Sequence, residues 1–171
     1  MTLDVALDVA AMPPGVEDAR NLGTAVESTT SRVGLWRHKW ADRSWVASTE
    51  TARSMPLFVA ADGCVLETSR GNVFVVGVDG TLVTAPLRDD LLPGVTRQAL
   101  LDVADQRRLP VQVRPIERAE LLAAAAVFWT SSLSGLVPIT TLDGRPLGRD
   151  AELRTELAAV LGFGAGSEPQ P

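Results

Sequence analysis

The sequence contains very little cysteine, histidine, lysine and tyrosine. Its 171 residues include one cysteine, one histidine and no tyrosine. A single cysteine, Cys64, excludes a disulfide within the chain and argues against a cysteine metal site. A single histidine, His38, likewise argues against a histidine-based centre, so we predict no metal. No apolar run is long enough to span a membrane, and the acidic start is unlike a signal peptide. These absences predict a cytoplasmic protein that has no membrane partner.

Excess positive charge is also missing. The net charge is −5, which provides no electrostatic footprint for nucleic acid or for an acidic membrane surface. Apolar residues make up 46% and charged residues 22%, as is usual for a globular domain. We therefore expect one domain over residues 1–161, because this length can bury a core of its own. The glycine- and proline-rich residues 162–171 predict a disordered tail.

Lysine is the scarcest basic residue. Lys39 is the only lysine, and the other fifteen basic residues are arginine. Arginine stays protonated, whereas the surroundings of a lysine can make its amine neutral and nucleophilic. A chain that keeps one lysine is predicted to need its amine, most commonly to form a Schiff base. A solvated lysine without a role is the alternative interpretation.

The pattern of apolar residues predicts an α+β domain whose sheet is mostly antiparallel. Asp-Gly pairs at 62–63 and 79–80 separate apolar strands, so residues 57–84 are expected to form a meander of four strands. Amphipathic spacing predicts further helical and extended segments. The expected helices cover about residues 41–53, 95–107, 117–125 and 150–161. The further strands are expected at residues 3–9, 24–33, 111–113, 127–130 and 136–140.

Polar clusters lie at the ends of these elements. Glu67 ends an apolar strand, where a carboxylate is costly unless a cation faces it. An arginine partner on a wet sheet face is the alternative. The Pro93-Gly94 bend opens directly into a helix, and the amides of Val95 and Thr96 at its start would suit a phosphate. Alternatively, Thr96 is simply the helix N-cap.

A run of hydroxyl groups, residues 130–134, follows the core strand at 127–130. It is either a further set of phosphate donors or an ordinary turn. Together with Lys39, Glu67 and the helix start, these are the parts that hold pyridoxal 5'-phosphate. The lysine carries the aldehyde, the carboxylate keeps the ring nitrogen protonated and the loops bind the phosphate.

Four blocks of the sequence, in order, resemble the class IV (fold-type IV) aminotransferase family. They are His38–Arg43, Leu66–Phe74, Leu92–Arg97 and Ser131–Pro138. This family contains branched-chain and D-amino-acid aminotransferases and 4-amino-4-deoxychorismate lyases, and the resemblance covers roughly residues 30–145. It implies the large, carboxy-terminal domain of that fold, an α+β domain with a barrel-like antiparallel core and flanking helices.

The resemblance also implies pyridoxal phosphate as the cofactor, a small-molecule amino substrate, and a role for each matching residue. Lys39 resembles the Schiff-base lysine, which is also the catalytic proton carrier, and Glu67 resembles the partner of the ring nitrogen. The remaining cofactor-binding positions, around the phosphate or near the ring, are Leu92, Val95, Thr96, Ser131 and Ser132.

Two departures from the family affect the expected function. Members carry an amino-terminal lobe of about a hundred residues before the lysine, and here only 38 residues precede it. The chain is then expected to be a truncated gene product, the product of a misassigned start, or a form that completes its site from another chain. We expect weak cofactor retention and little or no lyase turnover until the lobe is restored, and a homodimer that covers the exposed face. Aminotransferases of the family usually have tyrosine five residues after the lysine, where Ser44 stands, and Arg43 is more like the lyase branch.

The resemblance therefore favours a lyase that releases 4-aminobenzoate and pyruvate from 4-amino-4-deoxychorismate, a step of folate synthesis. An aminotransferase acting on branched-chain or D-amino acids is the first alternative. A non-catalytic remnant of the family is the second.

Overall fold

The computed structural model describes residues 16–30, 44, 50, 54–88 and 91–163. The strands of these ranges are β1 Thr24–Thr30, β2 Ser54–Val59, β3 Val65–Thr68, β4 Asn72–Val76, β5 Leu82–Thr84, β6 Val111–Val113, β7 Ala126–Ser131, β8 Gly135–Leu142 and β9 Arg145–Pro146. The helices are α1 Val16–Leu22, α2 Val95–Gln106, α3 Arg118–Ala123 and α4 Glu152–Val160.

A single mixed sheet contains all of these strands. Its order is β3-β2-β1-β8-β7-β4-β5-β6, and β9 pairs with β8. A further pairing, of Glu67 with Asn72, joins β3 back to β4 and closes six strands into a barrel-like ring. Most pairings are antiparallel, although β1 runs parallel to β2 and β8, and β5 runs parallel to β6. The predicted α+β class and barrel-like, mostly antiparallel core are confirmed.

Strand β4 lies at the centre of the core. All five of its residues are buried, as the continuous apolar run predicts for a strand covered on both faces. Val73 and Val75 belong to one apolar cluster, and Phe74 belongs to another on the opposite face. The ring of Phe74 stacks on Phe128 of β7 at 5.5 Å between centroids. Helix α2 covers this second face, and its start is thereby fixed beside the first residues of β4.

Most of the predicted elements are confirmed. The meander over residues 57–84 forms β2 to β5, and each predicted helix from residue 95 onward is present within two residues of its expected ends. The predicted strand at 3–9 lies outside the described residues. So does nearly all of the predicted helix at 41–53, of which the structure describes Ser44, which is helical, and Glu50.

Two residues of the predicted tail, Gly162 and Phe163, lie within the described part of the chain. Phe163 packs against the apolar cluster of Phe74 and Phe128, and its ring lies so close to Gly135 that a Cβ there would stand 2.6 Å from Phe163 Cγ. Residues 164–171 lie outside the described part of the chain. Within that part, none of the helices combines the length and the apolar character needed to cross a membrane.

Candidate functional site

Three polar side chains form a row across three neighbouring strands. Asn72, the first residue of β4, pairs with Glu67 of β3 on one side and with Thr130 of β7 on the other. Cross-strand partners of this kind have Cβ atoms about 5 Å apart. The three residues are only 5%, 2% and 2% exposed in the order Glu67, Asn72, Thr130. A row of buried polar groups in an apolar sheet is costly unless each group has a partner.

The Glu67 carboxylate is held through both of its oxygens. The Asn72 side-chain amide donates to Oε2 at 3.2 Å, and the backbone N–H of Leu92 donates to Oε1 at 3.4 Å. Its burial contradicts the alternative of a wet sheet face, which is therefore wrong. The backbone of Leu92 thus lies beside the carboxylate, and the predicted role of its side chain near the ring stays a prediction. The hydrogen bonds from Asn72 and Leu92 fix the orientation of the Glu67 carboxylate at one end of the barrel-like ring of strands.

Helix α2 begins next to the same cluster and has no side-chain cap. Its N-cap is Gly94, so the alternative that Thr96 caps the helix is wrong. The first amides of an α-helix have no intrahelical acceptors. Because Gly94 has no capping side chain, these amides point their partial positive charge outward. The Thr96 side chain is buried in this first turn, whereas Val95 is 73% exposed.

Gly94 is required by a close approach of two segments. A Cβ atom at this position would lie 2.1 Å from Asn72 Oδ1, well inside contact distance. The absence of a side chain therefore allows the helix start to touch the polar row. The Pro93-Gly94 bend of the sequence thus places the start of the helix against Asn72, the strand partner of Glu67.

The hydroxyl run at the end of β7 includes the buried hydroxyl of Thr130 and the less buried ones of Ser131 and Ser132. Thr130 Oγ1 is fully buried and has no hydrogen-bond partner among the described residues. Ser131 Oγ accepts a hydrogen bond from the Ser134 backbone N–H at 3.0 Å, while Ser132 is exposed. The run therefore forms a turn, as one interpretation had it, and the Ser131 hydroxyl keeps a hydrogen to donate.

A buried guanidinium lies in the first turn of α2. Arg97 is 3% exposed and donates from Nη2 to the Ala85 carbonyl at 2.8 Å. Its Nε atom is buried without a partner in the part of the chain that the structure describes. This burial lowers the pKa of Arg97 from its ordinary value, because the charged form loses hydration. The helix start therefore has a second source of positive charge close by.

Lys39 lies outside the described residues, and its predicted role stays a prediction. The structure does describe Glu50, eleven positions further on. Its carboxylate accepts a hydrogen bond from Ser69 Oγ at 2.6 Å and forms an ion pair with Arg70 at 3.1 Å. Both residues belong to the turn that directly follows the strand of Glu67. The chain beyond Lys39 is thus anchored to the hairpin that carries the buried carboxylate.

Sequence reasoning gave Asn72 and Thr130 no role of their own, although Asn72 lies in the block Leu66–Phe74 and Thr130 begins the hydroxyl run. A detectable signal was present, since each is a polar residue within an apolar β-strand segment. Which of them face each other depends on the pairing of β3, β4 and β7, and spacing along the chain does not reveal it. Among the described residues, no group of three or more His, Cys, Asp or Glu is arranged to hold a metal ion.

Comparison with known proteins identifies relatives over most of the chain. The family model for amino-transferase class IV matches residues 9–142. A probable branched-chain-amino-acid aminotransferase of Synechocystis is 28% identical over 154 residues, which are 80% of this chain and 50% of that protein. A bifunctional aminodeoxychorismate lyase / D-amino acid transaminase of Mycobacterium tuberculosis is 36% identical over 116 residues, or 61% of this chain and 40% of that protein.

Solved structures show the same fold. The PLP-bound form of a hypothetical aminotransferase from M. tuberculosis is 27% identical, with a TM-score of 0.72, over 90% of this chain and 61% of that one. A putative 4-amino-4-deoxychorismate lyase from Legionella pneumophila is 23% identical, with a TM-score of 0.75, over 81% of this chain and 55% of that one. The chain thus spans about half the length of such relatives.

Proposed function

The chain belongs to the class IV aminotransferase family, and from this premise we propose that it holds pyridoxal 5'-phosphate for an aminodeoxychorismate lyase reaction. In that reaction 4-amino-4-deoxychorismate yields 4-aminobenzoate and pyruvate, a step of folate synthesis. The observation that carries the proposal is the buried Glu67 carboxylate, fixed beside a helix start that has no side-chain cap.

The described residues fit this cofactor. A buried carboxylate suits a protonated ring nitrogen, because an opposite charge stabilises each group away from water. The amides of Val95 and Thr96, with the Thr96 hydroxyl, suit a phosphate at a helix N-terminus. Thr130 Oγ1 is a buried hydroxyl without a hydrogen-bond partner among the residues that the structure describes. Ser131 and Ser132 would supply further hydroxyl donors, and Leu92 would pack near the ring.

Pyridoxal phosphate, when bound, supplies an electron sink for charge that develops on the carbon next to the substrate amine. Lys39 would hold the aldehyde of the cofactor and move the proton at that carbon. A free lysine has a pKa of about 10.4, so its surroundings must favour the neutral amine for this role. Glu67 would keep the ring nitrogen protonated, and its two hydrogen bonds would keep it in place.

The lyase reaction is favoured over transamination by two observations. Ser44 stands where aminotransferases of the family usually have tyrosine, and Arg43 resembles the lyase branch. The relative that shares 36% identity with this chain is named as both a lyase and a D-amino acid transaminase. An aminotransferase of branched-chain or D-amino acids is the second candidate. The Synechocystis relative, which matches 80% of this chain, supports it.

The first turnover distinguishes the two reactions. The chain is supplied with pyridoxal phosphate and 4-amino-4-deoxychorismate in the absence of any oxo acid, and 4-aminobenzoate and pyruvate are measured. We expect equal amounts of both products. Amino-group transfer to an added oxo acid, without 4-aminobenzoate, would establish the transaminase instead. Absence of both reactions together with absence of cofactor binding would identify a remnant.

Glu67→Gln tests the role of the carboxylate. A neutral amide cannot hold the ring nitrogen protonated, so we expect the cofactor to stay attached while turnover falls at least about tenfold. Glu27→Gln, an exposed change of the same chemistry, is the control. Equal turnover of the Glu67→Gln variant and the unaltered chain would assign Glu67 to a structural pair.

A homodimer in the cytoplasm is the setting we propose for this activity. Its support is the apolar surface close to the site, where Val95 is 73% and Leu133 is 49% exposed.

A further inference from the structure

Asn72 occupies the centre of the polar row and contacts both the strand of Glu67 and the loop that leads into helix α2. Its side-chain nitrogen donates to Glu67 Oε2 at 3.2 Å and to the Leu92 carbonyl at 2.8 Å. A side-chain amide has two hydrogens on this nitrogen, and here each has an acceptor. Because both neighbours are acceptors, only this orientation of the amide satisfies them. Asn72 is 2% exposed, so water does not compete for these bonds.

The three residues form a closed arrangement of hydrogen bonds. Asn72 bonds to Glu67 and to Leu92, and the Leu92 N–H bonds in turn to the second oxygen of Glu67. Gly94, two residues after Leu92, begins helix α2 against the oxygen of the same Asn72 amide. One side chain therefore ties the carboxylate on β3 to the loop that sets the position of the helix start.

We propose that Asn72 is a positioning residue that aligns Glu67 with the start of helix α2. The inference rests on the proposed function, in which Glu67 meets the ring nitrogen of the cofactor and the helix start meets its phosphate. These two ends of one rigid molecule must be bound at a fixed separation. The Asn72 amide sets that separation because one of its N–H groups bonds to Glu67 on β3 and the other to the Leu92 carbonyl in the loop before α2.

A first measurement needs no cofactor. The Leu92 amide donates to Glu67, and the Gln98 amide donates to the Gly94 carbonyl at 3.1 Å in the first turn of α2. In Asn72→Leu, which keeps the approximate volume and removes both donors, we expect hydrogen exchange of these two amides to become at least about tenfold faster. Amides in the middle of β7 should keep their protection. Asn21→Leu, at the other asparagine of the chain, which is exposed, is the control. Unchanged exchange at Leu92 and Gln98 in a folded Asn72→Leu variant would overturn the proposal.

A second measurement separates positioning from a general structural role. Binding of pyridoxal phosphate is compared with binding of the analogue in which carbon replaces the ring nitrogen. We expect Asn72→Leu to weaken the first about tenfold more than the second, because the analogue makes no bond to Glu67. If Asn72→Leu weakened the binding of both ligands equally, Asn72 would have only a structural role.

Asn72→Asp is a second variant that keeps the test possible if Asn72→Leu does not fold. It preserves the shape of the side chain but places a second carboxylate beside Glu67, so we expect binding to recover as the pH falls and one carboxyl gains a proton. A pH profile parallel to that of the unaltered chain would contradict the proposal. If the unaltered chain binds neither ligand, the proposed function fails, and the exchange measurement still decides whether Asn72 joins the two segments.

Discussion

Substitution of Thr130 should affect the stability of the cofactor-free chain and the binding of the cofactor in opposite directions. A buried hydroxyl without a partner costs about 1–3 kcal/mol, and Thr130 Oγ1 has none within the described residues. We expect Thr130→Val to leave the free energy of unfolding of the cofactor-free chain unchanged or to raise it by about 1 kcal/mol. Affinity for pyridoxal phosphate should fall about tenfold, because a donor is lost.

Thr84 provides the matched control for this prediction. Its hydroxyl is equally buried but donates to the Val73 carbonyl at 2.8 Å. Thr84→Val should therefore lower the free energy of unfolding by about 1–2 kcal/mol. Urea titrations of both variants, with and without cofactor, make the comparison. A loss of stability for Thr130→Val as large as that for Thr84→Val would show that the Thr130 hydroxyl is already satisfied.

Lys39 gives the second prediction at this scale. Borohydride reduction in the presence of pyridoxal phosphate should attach the cofactor to Lys39, because the chain has no other lysine. Lys39→Ala should abolish this label, apart from any on the α-amino group. Lys39→Arg, which keeps the charge, should abolish it as well. Peptide mass spectrometry locates the label, and a label that persists elsewhere in both variants would rule out this site.

At the scale of the elements, the turn between β8 and β9 supplies a test of pH dependence. Asp143 and Gly144 both have positive φ, at 50° and 75°, as a tight hairpin turn requires. The Asp143 carboxylate reaches out of this turn to strand β1 and helix α3. It accepts hydrogen bonds from the Ser28 backbone N–H, from the Ser28 hydroxyl at 2.8 Å and from Arg118.

These contacts shift the acidity of Asp143. Burial raises the pKa of this carboxyl, but the hydrogen bonds from Ser28 and Arg118 outweigh it and hold the pKa below its ordinary value. A carboxyl whose pKa is lowered by folding stabilises the protein above its unfolded pKa of about 3.9. That contribution is lost as the pH falls through the lower, folded value.

Asp143→Asn should therefore cost about 1 kcal/mol near pH 7 and progressively less below about pH 4. Asparagine tolerates a positive φ, so the turn itself is kept. Asp105→Asn, the same substitution at an exposed position of helix α2, is the control. Thermal unfolding of the unaltered chain and of both variants is measured from pH 3 to 7. A loss of stability in Asp143→Asn that stays constant over this range would contradict the lowered pKa of Asp143.

At the scale of the whole molecule, apolar side chains are exposed next to the candidate site. Val95 at the start of α2 and Leu133 in the turn after β7 are 73% and 49% exposed. Apolar surface beside a binding site is typical of an interface. We expect the chain to form dimers or larger assemblies, and Leu133→Asp to weaken them.

Sedimentation of the unaltered chain and of the Leu133→Asp variant, each at several concentrations, measures how far the substitution weakens association. Val78→Asp is the control, because Val78 is 85% exposed in the turn between β4 and β5. An unaltered chain that sediments as a monomer at all concentrations would contradict the prediction. So would equal weakening of the assemblies by both variants. Retention of cofactor through gel filtration, measured on the same samples, shows whether association accompanies binding.

Local patterns in the sequence predicted most of the secondary structure of the described residues, although helix α1 and strand β9 were not predicted. Continuous apolar character predicted β4 as a strand buried on both faces, and Asp-Gly pairs predicted the meander, because turn chemistry and burial act over a few residues. The candidate residues Glu67 and Thr96 followed from their places at the ends of such elements, whereas Leu92 came only from the resemblance. The resemblance to a family then assigned them to a cofactor.

Only the tertiary structure decided which of these residues meet. The pairing of β7 with β4, the parallel pairing of β1 with β2 and β8, and the contact of Gly94 with Asn72 all join segments far apart in the chain. Asn72 and Thr130 lie in stretches that the sequence singled out, but only the strand register places them side by side. The physical reason is that pairing depends on the packing of all the strands at once, whereas turns and helices depend on their own residues.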